Sequence, residues 1–164
     1  MSGTGFFCDK VHLVKTLYEK WNMQGGRTLA VAESCTGGIL STLLTEAPGS
    51  SKFFLGGIVC YSNRLKQGLL GVSARTLEDK GAVSEAVAKE MAVGVKRVLE
   101  SDVGLSITGI AGPGGGSVAK PVGTVWCAIA DETTVQTRKL LLKGGRQEIR
   151  FCAASEIMET LLGV

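Results

Sequence analysis

The chain has 164 residues, of which 45% are hydrophobic and 20% charged, and its formal net charge at pH 7 is +3. This composition excludes a disordered chain and allows one domain with a real interior core. The small charge, with no block of basic residues, gives no electrostatic reason to expect a nucleic-acid partner.

Apolar spacing and turn residues predict helices and strands that interleave along the chain. Residues 1–8 look like a loose terminus, and Asp9 is the expected N-cap of the first helix. The predicted elements are a helix over 9–24, a strand, turn and helix within 28–44, a strand over 53–61, short helices over 63–70 and 73–80, a helix over 85–101, strands over 103–108, 122–130 and 133–142, and a helix over 146–162.

Consecutive strands over 122–130 and 133–142 must form a hairpin, so the sheet is expected to be mixed. The continuous apolar run of the first favours a central position, and the second is expected at an edge. Gly56 and Gly57, inside the strand over 53–61, indicate a bulge or a close approach by another backbone or a ligand. The predicted fold class is α/β: a three-layer α/β/α sandwich with a mixed, mostly parallel sheet of about five strands and four main helices.

The five cysteines are widely spaced, form no C-x-x-C pair and accompany a single histidine, His12. This pattern argues against a zinc site. Cys60, Cys127 and Cys152 lie in apolar segments and are expected to pack as small hydrophobic residues. The start of the chain resembles no signal peptide and no apolar run is long enough to span a bilayer, so a cytoplasmic location without membrane contact is expected.

Polar residues follow three of the predicted strands, in segments 33–38, 61–66 and 108–116. In α/β folds, ligands bind in the crevice where such strand-end segments meet. The first segment places Ser34 and Cys35 before two glycines and a helix start, where free backbone N–H groups can bind an anion or an oxyanion. A simpler interpretation is that Ser34 or Thr36 only caps the helix.

With no histidine in these segments, a serine nucleophile would need another base. Lys66 lies one helical turn after Ser62 and Asn63, and burial could lower its pKa enough for that role. The alternative is a solvated lysine on a short helix. Cys35 is the rival nucleophile, because a thiol at a helix N-terminus can have a depressed pKa, but packing as a small residue is the preferred interpretation.

The segment 108–116 is rich in glycine and fits neither the phosphate-loop nor the dinucleotide-binding pattern. Its backbone N–H groups could still surround a phosphate or a ribose, and Lys120 could neutralise a phosphate. A plain crossover loop is the alternative. Because so many consecutive glycines cost conformational entropy, a functional role is favoured.

Five stretches, in order, resemble the CinA C-terminal domain family: AESCTGG, GGIVCYSNRLK, GAVSEAVA, TGIAGPGGGSVAKPVGTV and the helix that follows GGR. The resemblance extends from about Ala30 to the C-terminus, so residues 1–164 are expected to form one such domain, with a tail and helix over 1–27. It implies an α/β/α domain that commonly self-associates, which supports the predicted fold and a homo-oligomer.

The family's stand-alone members include a nicotinamide-mononucleotide amidase. The resemblance therefore implies hydrolysis of the carboxamide of nicotinamide mononucleotide to nicotinate mononucleotide and ammonia, without a metal or a cofactor. By position, Ser34 would be the nucleophile, Lys66 the base and Tyr61 a supporting group near both. The partner would be a small nucleotide substrate.

The oxyanion would be held by backbone N–H groups of 108–112 or of 35–38, and the sequence does not decide between them. Ribose and phosphate contacts are expected from Asn63, Thr108, Lys120 and Arg146. The full set of expected substrate-binding residues is Cys35, Thr36, Gly37, Gly38, Asn63, Thr108, Gly109, Ile110, Ala111, Gly112, Lys120 and Arg146.

The chain departs from the family pattern at two positions. Gly145 stands where an acidic residue is frequent, and Trp126 where tyrosine is frequent. Neither is the expected nucleophile or base. The alternative function is a non-catalytic nucleotide-binding or protein-interaction module of the same fold, against which the presence of Ser34, Tyr61 and Lys66 argues.

Overall fold

The computed structural model describes residues 3–23 and 25–163 of the chain. Its elements alternate between helices and strands, as the apolar spacing predicts. In chain order they are α1 (Gly3–Met23), β1 (Leu29–Glu33), α2 (Ile39–Thr45), a 3-10 turn (Ser50–Lys52), β2 (Phe54–Val59), α3 (Asn63–Leu70), α4 (Ala74–Lys80), α5 (Glu85–Val98), β3 (Val103–Gly109), β4 (Thr124–Ala130), β5 (Val135–Leu141) and α6 (Arg146–Leu162).

The five strands form one mixed sheet in the order β2-β1-β3-β4-β5. β1 pairs in parallel with β2 and β3, whereas β4 is antiparallel to both β3 and β5. β4, with six of its seven residues buried, is internal, and the largely exposed β5 lies at an edge. The predicted three-layer α/β/α fold with a mixed sheet of five strands is therefore confirmed.

The two faces of the sheet are covered by different helices. One face packs on α1, α2 and α6, which contribute fully buried side chains such as Leu17, Leu43 and Ile157. The other packs on α3, α4 and α5 through Leu70, Leu77 and Met91. Burial of these apolar stripes is the main stabilising contribution to the fold, at roughly 25 cal/mol per Å² removed from water.

The first helix is longer than the sequence predicts. It begins at Gly3, so the expectation of a loose terminus over 1–8 is wrong for residues 3–8, and Met1 and Ser2 lie outside the described residues. Asp9 is consequently inside the helix and does not cap it. The helix predicted over 85–101 ends earlier, at Val98, which is 43% exposed.

The paired glycines of β2 coincide with a bulge, as expected, but the close neighbours of Gly57 are side chains and not another backbone. The register between β1 and β2 shifts between Leu29 and Ala30, because Leu55 is an extra residue in β2 and forms a bulge. A β-carbon at Gly57 would collide with the Ser41 hydroxyl and lie 2.9 Å from Val31. Glycine therefore lets α2 approach the sheet closely, beside the end of β1.

The strand order brings the polar strand-end segments to one edge of the sheet. β1, β2 and β3 are parallel, so their carboxyl ends lie together. After β1 the chain continues to β2 on one side of the sheet. After β3 it continues to β4 on the other side. A crevice forms where connections diverge in this way, and it is the usual place for a ligand in an open α/β sheet.

None of the helices within residues 3–23 and 25–163 combines the length and apolar character needed to cross a bilayer.

Candidate active site

Ser34 lies at the carboxyl end of β1, on the side of the crevice that faces α3 and α5. Its amide donates to the carbonyl of Ile107 in β3, with an N···O distance of 3.0 Å, so the backbone is fixed by the neighbouring strand. Side chains alternate between the faces of a sheet along a strand. Ser34 therefore points away from Glu33, and it is 8% exposed.

Lys66 meets Ser34 across this side of the crevice. The lysine lies in α3, whose first turn is capped by the Ser62 hydroxyl accepting from the Leu65 amide at 3.3 Å. Its Nζ is 3.0 Å from Ser34 Oγ. Nζ also donates to the carbonyls of Cys60, at 2.8 Å, and Tyr61, at 3.3 Å. These contacts hold the amine against the serine hydroxyl.

The amine of Lys66 is almost completely removed from water. The side chain is only 1% exposed, and no acidic side chain within the described residues forms an ion pair with it. Burial lowers the pKa of Lys66, an effect that the sulfurs of Cys60 and Cys35 partly oppose. Desolvation disfavours the ammonium, so the neutral amine is favoured relative to an exposed lysine.

Glu33 occupies the opposite face of the same strand end. The carboxylate is fully buried and accepts from the amides of Gly38, Leu40 and Ser41 at 2.8–3.1 Å and from the Ser41 hydroxyl at 2.7 Å. It therefore satisfies the orphan N–H groups at the start of α2. Glu33 is not among the site residues expected from the sequence; its position six residues before the first residue of α2 was the available signal.

The turn between β1 and α2 requires its glycines. Gly37 and Gly38 have φ values of 60° and 99°, the left-handed region that favours glycine. The Gly37 amide donates to the Ser34 carbonyl at 3.2 Å. The Gly38 amide donates to Glu33. The Thr36 amide, in contrast, has no acceptor among the described residues.

The Cys35 thiol does not have the environment of a nucleophile. It is buried, and burial raises the pKa of Cys35 to about 12. The thiol therefore stays protonated at neutral pH. The sequence interpretation of Cys35 as a packing residue agrees with this environment. Cys60 and Cys127 are also buried, whereas Cys152 is half-buried.

Tyr61 reaches the site in a different way from that expected. Only its backbone carbonyl contacts Lys66, and its exposed hydroxyl accepts from Arg146 Nη2 at 3.0 Å. Arg146 Nη1 also donates to the Gly112 carbonyl at 2.6 Å. The first residue of α6 thus connects the end of β2 to the glycine-rich segment after β3.

The segment after β3 is fixed at its base. The amide of Ile110 donates to the Thr124 carbonyl at 2.9 Å, so it is not available for an oxyanion. At Gly109, a β-carbon would lie 2.7 Å from Val125 and 3.1 Å from the Cys35 sulfur. The Ala111 amide has no acceptor among the described residues and remains a possible donor.

Three of the other expected contacts lie at the margin of the crevice. Thr108 is buried, and its hydroxyl donates to the Ala82 carbonyl at 2.9 Å, which ties the connection between α4 and α5 to β3. Lys120 Nζ donates to the Lys80 carbonyl at 2.7 Å. Asn63 is exposed on the first turn of α3. None of these three side chains forms a hydrogen bond with the Ser34 hydroxyl.

Two buried hydroxyls near this edge are unpaired. Thr36 Oγ1 and Thr124 Oγ1 have no hydrogen-bond partner within the described residues. Because a buried hydroxyl is costly without a partner, a water molecule or a polar ligand would satisfy them. Across residues 3–23 and 25–163, no three His, Cys, Asp or Glu side chains are grouped as metal ligands.

The protein is a small α/β/α domain with an open sheet. A buried serine–lysine pair lies at the carboxyl ends of its parallel strands, where the connections diverge. Residues 12–164 match the CinA C-terminal domain. The chain belongs to the CinA C-terminal domain family, and the match includes most of α1, which the resemblance from Ala30 onward did not cover.

Relatives and solved structures agree with this assignment. The chain is 51% identical over 141 residues to a CinA-like protein of Gloeothece citriformis, covering 84% of this chain and 34% of that protein. A CinA-like protein of Synechocystis is 44% identical over 164 residues, covering 98% and 39%. The chain therefore spans little more than a third of the length of these curated relatives.

The fold superposes on experimental structures over nearly its full length. The competence/damage inducible protein CihA from Agrobacterium tumefaciens is 37% identical, with a TM-score of 0.90 and 94% of each chain covered. A CinA superfamily protein from Escherichia coli is 34% identical, with a TM-score of 0.89, and covers 99% of this chain and 92% of its own.

Proposed function

We propose that the chain is an amidohydrolase that converts nicotinamide mononucleotide to nicotinate mononucleotide and ammonia, with Ser34 as nucleophile and Lys66 as base. The observation that carries the proposal is the 3.0 Å contact between Lys66 Nζ and Ser34 Oγ in a buried environment. The substrate is the one implied by the family resemblance.

The three contacts of Lys66 Nζ are compatible with a neutral amine that acts as the base. A neutral amine has two N–H donors and one lone pair. The carbonyls of Cys60 and Tyr61 can accept both hydrogens. The lone pair then faces the Ser34 hydroxyl, in the orientation needed to accept its proton.

The reaction follows from this arrangement in two stages. Lys66 takes the proton from Ser34 as Oγ attacks the carboxamide carbon, and the resulting ammonium returns a proton to the departing nitrogen, which leaves as ammonia. A water molecule then attacks the ester on Ser34, giving its proton to Lys66. The carboxylic acid departs, and Ser34 regains its proton from Lys66.

The negative charge that develops on the carbonyl oxygen needs donors. The amides of Thr36 and Ala111 are candidates, since one lies in each of the two segments named from the sequence and neither is bound by the described residues. The Ile110, Gly37 and Gly38 amides are already occupied. The proposal therefore has the oxyanion bound between the turn and the start of the glycine-rich segment.

Ammonia release from nicotinamide mononucleotide tests the proposal. Ser34→Ala should reduce turnover by about a thousandfold or more, while the far-ultraviolet circular dichroism spectrum, which reports the secondary structure, stays unchanged. Ser73→Ala is the matched control, because Ser73 also caps a helix, α4, but that helix carries neither of the proposed catalytic residues. Undiminished turnover in Ser34→Ala would contradict the mechanism. Tight nucleotide binding by a wild-type protein that releases no ammonia would favour the non-catalytic module instead.

A further inference from the structure

Arg150, which is not among the site residues expected from the sequence, contacts the turn between β1 and α2 directly. It lies in α6, one helical turn after Arg146. Its Nε donates to the Cys35 carbonyl at 3.1 Å and its Nη2 to the Thr36 carbonyl at 2.7 Å. One guanidinium therefore spans the two carbonyls that follow Ser34.

This arginine is committed to the turn and not to a carboxylate. Within the described residues, the ion pairs do not include Arg150. A β-carbon at Gly37 would lie only 3.2 Å from Nη2, so the side chain packs against the turn itself. Its positive charge also acts to lower the pKa of the Cys35 thiol, although the effect of burial is larger.

The geometry of the peptide unit connects these contacts with the chemistry. In a trans peptide the C=O and the following N–H point in opposite directions within one plane. The Cys35 carbonyl shares its plane with the Thr36 amide. Holding that carbonyl against Arg150 therefore fixes the Thr36 N–H so that it points away from α6. A cation on the carbonyl also polarises the unit and strengthens its N–H as a donor.

We propose that Arg150 is a positioning residue that aligns and polarises the Thr36 amide for the oxyanion formed when Ser34 attacks. Glu33 complements it, because the carboxylate fixes the Gly38 amide at the other end of the turn. The turn is thus held at its carbonyls by a cation and at an amide by an anion. This inference rests on the proposed function for its natural reaction.

The test compares Arg150→Ala, Arg150→Lys and the control Arg138→Ala. Arg138 is a half-exposed arginine on β5 that pairs with Glu156. For ammonia release, Arg150→Ala should lower kcat by roughly a hundredfold, the typical effect of losing one oxyanion donor, with KM changed less than about threefold. Arg150→Lys should have a higher kcat than Arg150→Ala but a lower one than the wild type, because lysine keeps the charge but loses the bidentate hydrogen bonding of the guanidinium.

Two further measurements separate positioning from folding. Low millimolar guanidinium should raise the turnover of Arg150→Ala several-fold and leave the wild type unchanged. A fluorophosphonate probe should modify Ser34 faster in the wild type than in Arg150→Ala, because its phosphoryl oxygen also needs the oxyanion donors. In this reaction Ser34 Oγ bonds to the phosphorus of the probe as the P–F bond breaks, fluoride leaves, and Lys66 takes the hydroxyl proton. The reaction needs no nucleotide.

The outcomes distinguish the two proposals. Slower probe labelling in Arg150→Ala supports the role of Arg150 even if the wild type releases no ammonia, a result that would contradict only the proposed substrate. Equal labelling of a folded Arg150→Ala and the wild type would overturn the inference while leaving the amidase intact. A wild type that neither releases ammonia nor reacts with the probe would overturn both.

Discussion

Glu33 and Ser34 are consecutive buried residues at the end of one strand, yet their surroundings differ in kind. Four donors satisfy the Glu33 carboxylate on the α2 face. On the other face, Ser34 meets an amine whose further partners are carbonyl oxygens. A saturated buried charge stabilises structure, whereas a buried base without a counter-ion remains available for proton transfer.

Replacing the base should produce the largest effect. Lys66→Met keeps much of the side-chain volume and removes the amine, so ammonia release should fall by about a thousandfold or more. The free energy of unfolding should change by less than about 1 kcal/mol, because a desolvated amine is removed together with its hydrogen bonds. Steady-state kinetics and urea denaturation measure the two quantities. Activity retained within tenfold would remove Lys66 from the mechanism.

The reverse pattern is expected for Glu33. Glu33→Ala leaves the amides of Gly38, Leu40 and Ser41 without their acceptor, so the free energy of unfolding should fall by about 2–4 kcal/mol. Urea denaturation measures the loss. Glu46→Ala, an exposed residue at the end of α2, is the control. Unchanged stability in Glu33→Ala would break the distinction between the two faces.

The pH dependence sharpens the same comparison. Activity requires neutral Lys66, so kcat/KM should rise with pH and level off above the lowered pKa of Lys66. Burial disfavours the ammonium, so the native state binds fewer protons than the unfolded chain between that lowered pKa and 10.5. The free energy of unfolding should therefore rise with pH across this window.

Lys66→Met should flatten this rise in stability, which denaturation at several pH values would reveal. A slope that is unchanged in Lys66→Met would assign the dependence to other groups.

A smaller effect is expected at Tyr61, whose hydroxyl contacts Arg146 and neither Ser34 nor Lys66. Tyr61→Phe should raise KM by a factor of about three to ten with little change in kcat, since one hydrogen bond to an arginine is worth roughly 1 kcal/mol. A large fall in kcat with constant KM would instead place the phenol at the reacting atoms.

The smallest effect is expected at Cys35. With the pKa of its thiol raised to about 12, the group contributes no nucleophile at neutral pH, and Cys35→Ala should keep turnover within about a factor of three. Kinetic assay and alkylation of the unfolded protein verify the change. Loss of activity comparable to that of Ser34→Ala would revive the thiol mechanism.

Local pattern determined most of the architecture. The apolar stripes of α5 and α6, the glycines after Ser34 and the consecutive strands β4 and β5 are properties of neighbouring residues, and they predicted the elements, the mixed sheet and its edge strand. The boundary of α1 was missed because residues 3–8 carry no clear apolar stripe or cap. The motifs around Ser34 and Lys66 also indicated the family.

The tertiary structure decided which of the polar residues meet. Lys66 and Ser34 are 32 positions apart, and Arg150 and Cys35 are 115 apart, so no local periodicity relates them. Strand order brings the segments to one edge, and packing of α3 removes the Lys66 amine from water. Burial and distance between remote residues fix its pKa, and these arise only when the layers are assembled.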